Sequence, residues 1–289
     1  MTSNTDSMYN AAEKKLADLI ARLDNSKSYV NNFDSFIDFA LFPFIANPDE
    51  YQKKNFLDHR ADENYLQCLQ LLGEAAEGYH DCFGDIFMDR ISHGENGQFF
   101  TPETVCSFMA GVTDPEGETI HDCCCGSGRL PLAGLKKSRE NGKEPWLYGS
   151  DIDRRCCRMT LLNFCLNSVR GEVVHMDALM LEQWQAWHID RVMLGGKWMS
   201  WVWQYTPDTD MDELNRERNS QIAELASYGV LFEYARPHKR TDTAQVQSTG
   251  TTQEQPQEAK IAPTTAPQVE ERTIPQIPKG KPVQLEFDF

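Results

Sequence analysis

The sequence predicts an α/β protein that consists of a helical segment, a section of alternating strands and helices, and a polar tail. The main observation is a series of short apolar runs separated by helical patterns between about residues 118 and 195: ETIHDC, WLYGSD, EVVHMD and HIDRVML. Strands that alternate with helices are typical of a parallel sheet covered on both faces. We expect the helical part at 1–92, the α/β domain at 93–236 and the tail at 237–289.

The helical part is predicted from apolar residues at helical spacing. Such residues recur from Met8 to Leu23, and a second segment, VNNFDSFIDFALFPF, continues until Pro43 interrupts it. A third helix is expected from about Ala61 to His80. Packing explains these apolar residues, and we find no catalytic constellation among them.

In the α/β domain, helices are expected at Leu130–Arg139 and Arg154–Asn167. Three aspartates, Asp122, Asp151 and Asp177, come at the ends of the first three apolar runs. Sheets of this kind bind ligands beyond the carboxyl ends of their strands, so these aspartates are candidate ligand contacts.

The section after the fourth apolar run is less regular. It contains the aromatic stretch GKWMSWVWQY and a capped helical pattern from Asp210 to Tyr228, followed by Gly229. Residues 241–281 are rich in Thr, Gln, Pro and Glu, with almost no aromatic residues. Such a composition buries too little apolar surface to offset chain entropy, which predicts disorder.

Bulk composition narrows the class of protein. The chain has no apolar run long enough to span a bilayer and no signal-peptide pattern at its start, so we expect a cytoplasmic protein. Its nine cysteines are odd in number, several are adjacent, and none has CxxC spacing. Buried free thiols are therefore expected rather than a disulfide framework or a metal site.

The formal net charge of −16 argues against general binding to nucleic acids, because contacts with phosphates need a basic surface. Residues 101–170 are neutral, with equal numbers of acidic and basic residues. Any contact with DNA is expected there, or through a partner that supplies the positive surface.

The stretch DCCCGSG, from Asp122 to Gly128, predicts a tight turn between a strand and a helix. Gly126 and Gly128 allow close approach of a ligand, and the free N–H groups of the next helix face the same crevice. The stretch matches neither GxGxxG nor a P-loop. Asp151 could accept hydrogen bonds from ribose hydroxyls and Asp177 from an adenine amino group. Both could instead cap helices or open turns.

Two segments in this order carry a family resemblance: DCFGDIFMDRISHGENGQFFTPETVCSFM, from Asp81 to Met109, and DCCCGSGR. Together with YGSDID and HMDAL they resemble N6-adenine DNA methyltransferases of the type I restriction–modification kind. The resemblance implies a Rossmann-like S-adenosylmethionine-dependent methyltransferase domain preceded by a helical domain. It covers about residues 81–194 and places Asn163 where the family often has an asparagine.

The resemblance also implies roles for individual residues. The FTP residues would touch S-adenosylmethionine, the glycine turn would hold its methionine end, Asp151 its ribose, and Asp177 with Ala178 its adenine. The implied contacts are Phe100, Thr101, Pro102, Asp122, Gly126, Ser127, Gly128, Asp151, Asp177 and Ala178.

The chain departs from the family where its chemistry is expected. The family carries N-P-P-[FY] or D-P-P-[FY] after the fourth strand, where an oxygen and a carbonyl accept hydrogen bonds from the target amine. The corresponding positions are Leu194, Gly195, Gly196, Lys197 and Trp198. The N-P and D-P pairs in the chain are Asn47-Pro48 and Asp114-Pro115.

Two hypotheses follow from this departure. The first is an adenine-specific DNA methyltransferase that works with DNA and a second subunit that recognises it. The second is a catalytically degenerate module that binds S-adenosylmethionine, or only a partner. Transfer of the methyl group to another nucleophile is a third alternative.

The last residues, KPVQLEFDF, resemble a Q-x-x-[hydrophobic]-x-F peptide that binds the bacterial sliding clamp. Gln284, Phe287 and Phe289 would be its anchors in a groove of the partner. The alternative is an end that is merely apolar and has no specific partner.

Overall fold

The computed structural model describes residues 11–92, 99–113, 119–228 and 231–233. The predictions for Met8, for Gly229, for the tail at 237–289 and for the Asp114-Pro115 pair lie outside the described residues.

The chain begins with a helical layer in which side-chain caps define the starts of several helices. Ser28 caps α2, Asp49 and Gln52 form a capping box at α3, and Asp62 caps α4. Pro43 lies in a short 3-10 turn that ends α2, as the sequence predicts. The helices are α1 Ala11–Ile20, α2 Tyr29–Leu41, α3 Glu50–His59, α4 Glu63–Ala75, α5 Gly84–Phe87, which continues as a π turn over Met88–Ser92, and α6 Glu103–Thr113.

One mixed sheet follows, with strand order β1-β2-β3-β4-β5 and with β6 paired to β4. The strands β1, β2 and β3 run parallel, whereas β4, β5 and β6 pair antiparallel. The prediction of a parallel sheet is therefore right for the first three strands and wrong for the rest. The strands are β1 Thr119–Asp122, β2 Trp146–Asp151, β3 Arg170–Asp177, β4 Glu182–Leu194, β5 Lys197–Tyr205 and β6 Leu231–Glu233.

The reversal of direction has a local cause. Only a few residues separate β3 from β4 and β4 from β5, which is too short for the crossover that a parallel pair requires. Gly195 and Gly196 connect β4 to β5 with φ values of 57° and 78°. Two consecutive residues with positive φ form a type I′ turn. The twist of this turn matches the right-handed twist of the two strands that it joins.

Two helices cover one face of the sheet above its parallel strands. A third helix packs on the opposite face of the sheet, at β4. α7, Arg129–Glu140, packs on β1 and β2, and α8, Arg154–Leu166, packs on β2 and β3. Both agree with the predicted helices to within a residue or so at each end. α9, Met211–Ser227, is tied to the opposite face by a buried ion pair between Arg218 and Asp190 of β4, at 2.5 Å.

One large hydrophobic core joins the helical layer to the sheet. It includes Leu16 of α1, Phe33 of α2, Phe164 of α8 and Ile189 of β4, all fully buried. The predicted domain boundaries at 92 and 236 stay predictions, since the two parts share this core. No helix within the described ranges is long and apolar enough to cross a membrane.

All nine cysteines are free thiols, and seven of them are buried. Burial in apolar surroundings raises the pKa of several of these thiols, and it raises the pKa of Cys68 to about 12. Within the described ranges no cluster of His, Cys, Asp or Glu side chains is arranged to hold a metal ion.

Candidate functional site

The three predicted aspartates lie at one edge of the sheet. Asp122 of β1 pairs with Gly149 of β2, and Asp151 of β2 pairs with His175 of β3. Each aspartate is therefore two residues farther along its strand than the one before it. With about 3.3 Å per residue and about 4.8 Å between strands, successive aspartates are roughly 8 Å apart. The structure thus places the three aspartates near one another at the same edge of the sheet.

The glycine turn after β1 requires glycine at two positions. Gly126 has φ 56°, and a Cβ there would lie 3.1 Å from the ring of Phe100. Gly128 has φ 86°, and a Cβ there would lie 3.0 Å from the hydroxyl of Thr160. Both the backbone conformation and the lack of space exclude a larger residue.

Asp151 is connected directly to this turn. Its Oδ2 accepts a hydrogen bond from Gly126 N at 2.9 Å, and its Oδ1 accepts one from Asp153 N at 2.9 Å. Burial raises the pKa of Asp151 although both backbone hydrogen bonds oppose that rise. A carboxylate offers about four lone-pair sites, so Asp151 retains capacity to accept hydrogen bonds from a ligand.

Asp122 and Asp177 both organise the turns that follow their strands. Asp122 Oδ1 accepts from Cys124 N at 3.1 Å. Asp177 Oδ1 accepts from Leu179 N at 2.8 Å and from Met180 N at 2.9 Å. The turn-opening role that the sequence left open for Asp177 is therefore observed, and Asp122 has the same role. Since these bonds involve only Oδ1, the second oxygen of each carboxylate is still an acceptor for a ligand.

Sequence reasoning missed the centre of the site, which is the carboxylate of Asp81. This side chain is 2% exposed and accepts hydrogen bonds from the glycine turn, from α7 and from α8. Its partners are Ser127 Oγ at 2.5 Å, Asn163 Nδ2 at 2.8 Å, Arg129 Nε at 3.0 Å, and the backbone N–H groups of Phe83 and Gly84 at 3.1 Å. The segment containing Asp81 was singled out, but nothing in one sequence indicates these partners.

Arg129 joins the two segments that carried the family resemblance. It forms ion pairs with Asp81 and Asp85, both at 3.0 Å, and its NH1 donates to Thr101 O at 3.4 Å. Gly84 leaves room for this cluster, because a Cβ there would lie 2.3 Å from Asp81 Oδ2. The FTP segment and the glycine turn are therefore parts of one hydrogen-bonded unit.

Phe100 is half-buried beside the glycine turn and stacks on Phe87, with 5.5 Å between ring centroids. Thr101 and Pro102, just before α6, are exposed. The ring of Phe100 therefore lies close to the backbone of the glycine turn, 3.1 Å from the position that a Cβ of Gly126 would take.

Ile152 is a further candidate that the sequence analysis did not select. It follows Asp151 directly, and its apolar side chain is 61% exposed at the edge of the sheet where the three aspartates lie. Its carbonyl oxygen lies 3.2 Å from His175 Nε2 of β3. An exposed apolar side chain between Asp151 and Asp177 suits contact with a flat base. The sequence signal for Ile152 was its place between Asp151 and Asp153.

The five residues of the expected acceptor position lie elsewhere. Since β4 runs antiparallel to β3, the turn from Leu194 to Trp198 is at the amino end of β3. Ser168, which precedes β3, donates to Trp198 O at 2.7 Å. Trp198 itself lies beneath the guanidinium of Arg191, 5.2 Å from the ring centroid. This turn and the aspartates Asp122, Asp151 and Asp177 therefore lie at opposite ends of the parallel strands.

The Asn47-Pro48 pair does not face the site either. Asn47 Nδ2 donates to Gln204 O at 2.8 Å, and its Oδ1 accepts from Gln204 N at 2.9 Å. These bonds attach the loop before α3 to β5. Gln284, Phe287 and Phe289 of the predicted clamp-binding peptide lie outside the described residues, so that prediction is untested.

The chain is similar in sequence to a known family and to several curated proteins. The family described as N-6 DNA Methylase matches residues 79–261, which is more than half of the chain. The methylase subunit of the type I restriction enzyme MjaIX of Methanocaldococcus jannaschii is 30% identical over 102 residues, covering 32% of this chain and 18% of the relative. That of MpnII from Mycoplasma pneumoniae is 26% identical over 132 residues, covering 41% and 24%.

The methylase subunit of EcoEI from Escherichia coli is 28% identical over 127 residues, covering 37% of this chain and 26% of the relative. The chain thus matches about a fifth to a quarter of the length of these curated relatives. A solved structure of a putative class I S-adenosylmethionine-dependent methyltransferase from Listeria monocytogenes aligns with a TM-score of 0.41 and 15% identity, covering 59% of this chain and 55% of the other. On the extent of the family match, this chain belongs to the N-6 DNA methylase family.

Proposed function

We propose that this chain binds S-adenosylmethionine at the carboxyl ends of β1, β2 and β3, as part of an adenine-specific DNA methyltransferase of a restriction–modification system. The observation that carries the proposal is the Asp81 network. It fixes the FTP segment, the glycine turn and α8 in one unit beside Asp151. A buried, fully paired carboxylate of this kind specifies one arrangement of the crevice.

The residues present fit the cofactor. Gly126 and Gly128 leave a backbone cradle that a Cβ would fill, and Asp151 keeps acceptor capacity for two vicinal hydroxyls. Ile152 and Ala178 would provide the apolar contacts of the adenine and Asp177 a hydrogen-bond acceptor for its amino group. Ser127 would act through its backbone, because its buried hydroxyl is bonded to Asp81.

The remaining contacts come from the segment before α6. Phe100 would form the wall opposite Gly126, with Thr101 and Pro102 at the rim, and Asp122 would face the charged methionine end. When bound, S-adenosylmethionine supplies an electrophilic methyl group for transfer to a nucleophile. This chain's own residues bind the cofactor, orient it and keep the glycine turn in place.

We infer that the acceptor group and the recognition of DNA come from outside the described residues, in a second subunit or in a further segment. Three curated relatives are subunits of larger restriction enzymes, and this chain matches only a fraction of each. With a net charge of −16, the chain also needs a partner that supplies basic surface if it is to approach DNA.

The second candidate is a module that binds S-adenosylmethionine without transferring its methyl group. The sequence favours it in one respect, since the chain contains no Asn-Pro-Pro or Asp-Pro-Pro stretch. The comparisons lend it no support, and they lend none to binding of the sliding clamp.

Calorimetric titration of S-adenosylmethionine into the full chain tests the proposal. We expect Asp151→Ala to weaken binding by roughly 10- to 100-fold, as for the loss of hydrogen bonds to a charged group. Asp210→Ala is a matched control, because Asp210 also accepts two backbone hydrogen bonds but lies at the start of α9. Equal affinities for all three proteins, or no binding by folded wild type, would refute the cofactor site.

Methyl transfer is tested separately with labelled S-adenosylmethionine and unmethylated DNA. We expect incorporation only when the other subunits of the system are added. A chain that binds the cofactor but never transfers its methyl group, with any subunit present, would be the binding module instead.

A further inference from the structure

Among the described residues, β1 pairs with β2 and with no other strand. Its second edge therefore presents backbone N–H and C=O groups that no described strand satisfies. Open edges of this kind are templates for strand addition unless something covers them. The edge belongs to the strand that carries the glycine turn.

A strip of apolar side chains is exposed on α6. Val105, Phe108, Met109 and Val112 are 42%, 70%, 40% and 67% exposed. Their spacing of three, four and seven residues places them on one face of the helix. The opposite face of α6, with Cys106 and Ala110, is buried. We call the four exposed residues the α6 strip.

α6 packs on α7, the helix that packs on β1, so we expect the α6 strip to lie on the same side of the molecule as the open edge. α7 packs on β1 and β2 and α8 packs on β2 and β3, while α6 packs on α7. The helices therefore follow the order α6, α7, α8 above the strand order β1, β2, β3, and α6 is on the outer side of α7. A strand added to β1 would lie under or next to the α6 strip.

The end of this chain has the sequence pattern of such a strand. In VQLEFDF, from Val283 to Phe289, apolar and polar residues alternate without exception. This alternation places Val283, Leu285, Phe287 and Phe289 on one side of an extended strand and Gln284, Glu286 and Asp288 on the other. A strand with one apolar face matches a sheet edge that has an apolar helix above one side.

We propose that residues 283–289 of this chain pair with the open edge of β1 and place their apolar side chains against the α6 strip. In this arrangement the polar side chains share the other face of the sheet with His121. That histidine of β1 is exposed and lies opposite Tyr148, on the face away from α7. Glu286 and Asp288 would then be neighbours of a side chain that can donate hydrogen bonds to carboxylates.

The connecting chain is long enough for this contact. The last described residue is Glu233 of β6, which pairs with β4. Three strand spacings, roughly 15 Å, separate β4 from β1. A coil of about fifty residues has a mean end-to-end distance of roughly 40 Å, so the tether permits the contact and raises the effective concentration of the end.

The test is photo-crosslinking in the full chain with p-benzoylphenylalanine in place of Phe287. We expect crosslinks within one chain to α6 or β1, mapped by mass spectrometry at low protein concentration. The same substitution at Asp288 is the control, because neighbouring residues of a strand point to opposite faces. Its crosslinks should go to the face of the sheet that carries His121. Crosslinks only between two chains would overturn the proposal and assign the surface to a second copy.

Two further variants test the same contact. Met109→Asp changes an exposed position, so the fold should persist while the crosslink from position 287 is lost. Removal of residues 282–289 should speed amide exchange in β1 by about tenfold. Unchanged exchange would overturn the proposal, and so would crosslinks from position 287 that go only to other parts of the chain or to added sliding clamp. These readouts are independent of cofactor binding, so failure of one proposal leaves the other standing.

Discussion

The side-chain amide of Asn163 donates to Asp81 Oδ1 and to Ser127 O, both at 2.8 Å. It thereby joins α8, the glycine turn and the loop before α5, which are distant along the chain. The geometry of the glycine turn consequently depends on a carboxylate from the helical layer. The helical layer is part of the site rather than an appendage to it.

The first prediction concerns the charge of Asp81. Asp81→Asn preserves the shape of the side chain but removes the charge that Arg129 pairs with in the interior. Leaving one partner of a buried pair uncompensated costs about 3–5 kcal/mol. We expect the free energy of unfolding, measured in urea, to fall by that amount, with a parallel loss of affinity for S-adenosylmethionine.

Asp89→Asn is the matched control for Asp81. Asp89 pairs with Arg90 at 2.9 Å, but the two side chains are 50% and 39% exposed. Exposed pairs contribute about 0–1 kcal/mol, so this variant should be nearly as stable as the wild type. Similar losses in both variants would contradict a special role for Asp81.

The second prediction separates backbone strain from the close contact at the glycine turn. Gly126→Ala and Gly142→Ala both introduce a Cβ at positive φ, 56° and 71°. At Gly142 nothing lies within 4 Å of the new atom, whereas at Gly126 it meets Phe100 at 3.1 Å. Each variant should lose about 1–2 kcal/mol from strain, with a larger loss for Gly126→Ala. Only Gly126→Ala should weaken cofactor binding.

The stability of the two glycine variants is measured by thermal and urea unfolding, and their affinity for S-adenosylmethionine by calorimetry. If Gly126→Ala and Gly142→Ala behave alike in all three measurements, the close contact between Phe100 and the turn affects neither stability nor cofactor binding.

The third prediction is a dependence of stability on pH through His80. The hydrogen bond to Glu13, at 2.5 Å, raises the pKa of His80 to about 9, and the charges of Glu13, Glu103 and Asp81 act in the same direction. Burial opposes this rise. The folded state therefore holds the proton more tightly than the unfolded chain does.

The sign follows from that difference in pKa. The stabilisation is complete below the unfolded pKa, about 6.5, and is lost as pH rises through about 9. Its size is on the order of 2 kcal/mol after allowance for partial exposure of the ring. Urea unfolding of wild type and His80→Gln at pH 6 and pH 9.5 measures it. A difference between the two proteins that stays constant with pH would contradict the assignment.

Local patterns predicted the first half of the α/β domain well. Apolar runs and the glycine turn are short-range features, and the predicted strand ends at Asp122, Asp151 and Asp177 agree with the structure. The direction of β4 was not predicted, because strand direction depends on connection length and on pairing between distant residues. The Asp81 network was missed for a similar reason, since its members come from separate elements.

The last prediction follows from the direction of β4. Replacing Leu194–Lys197 by Asn-Pro-Pro-Phe would restore the family's acceptor sequence at its expected place along the chain. The structure places that turn at the amino end of β3, so no methyl transfer should appear. Proline fixes φ near −65° and cannot replace Gly195 or Gly196, which have positive φ. The hairpin should therefore be lost, with a fall in the free energy of unfolding of about 3 kcal/mol or more.

Gly195→Asn is the control for this replacement, because Asn followed by glycine is a preferred sequence for a two-residue hairpin turn. This variant should keep the hairpin and the wild-type stability. Urea unfolding of both variants, and methylation assays with labelled S-adenosylmethionine, give the comparison. Methylation gained by the Asn-Pro-Pro-Phe variant would mean that β4 and β5 are arranged differently around the cofactor. The acceptor position would then lie on this chain. That result would contradict the antiparallel pairing of β3 and β4, which places the turn away from the cofactor site.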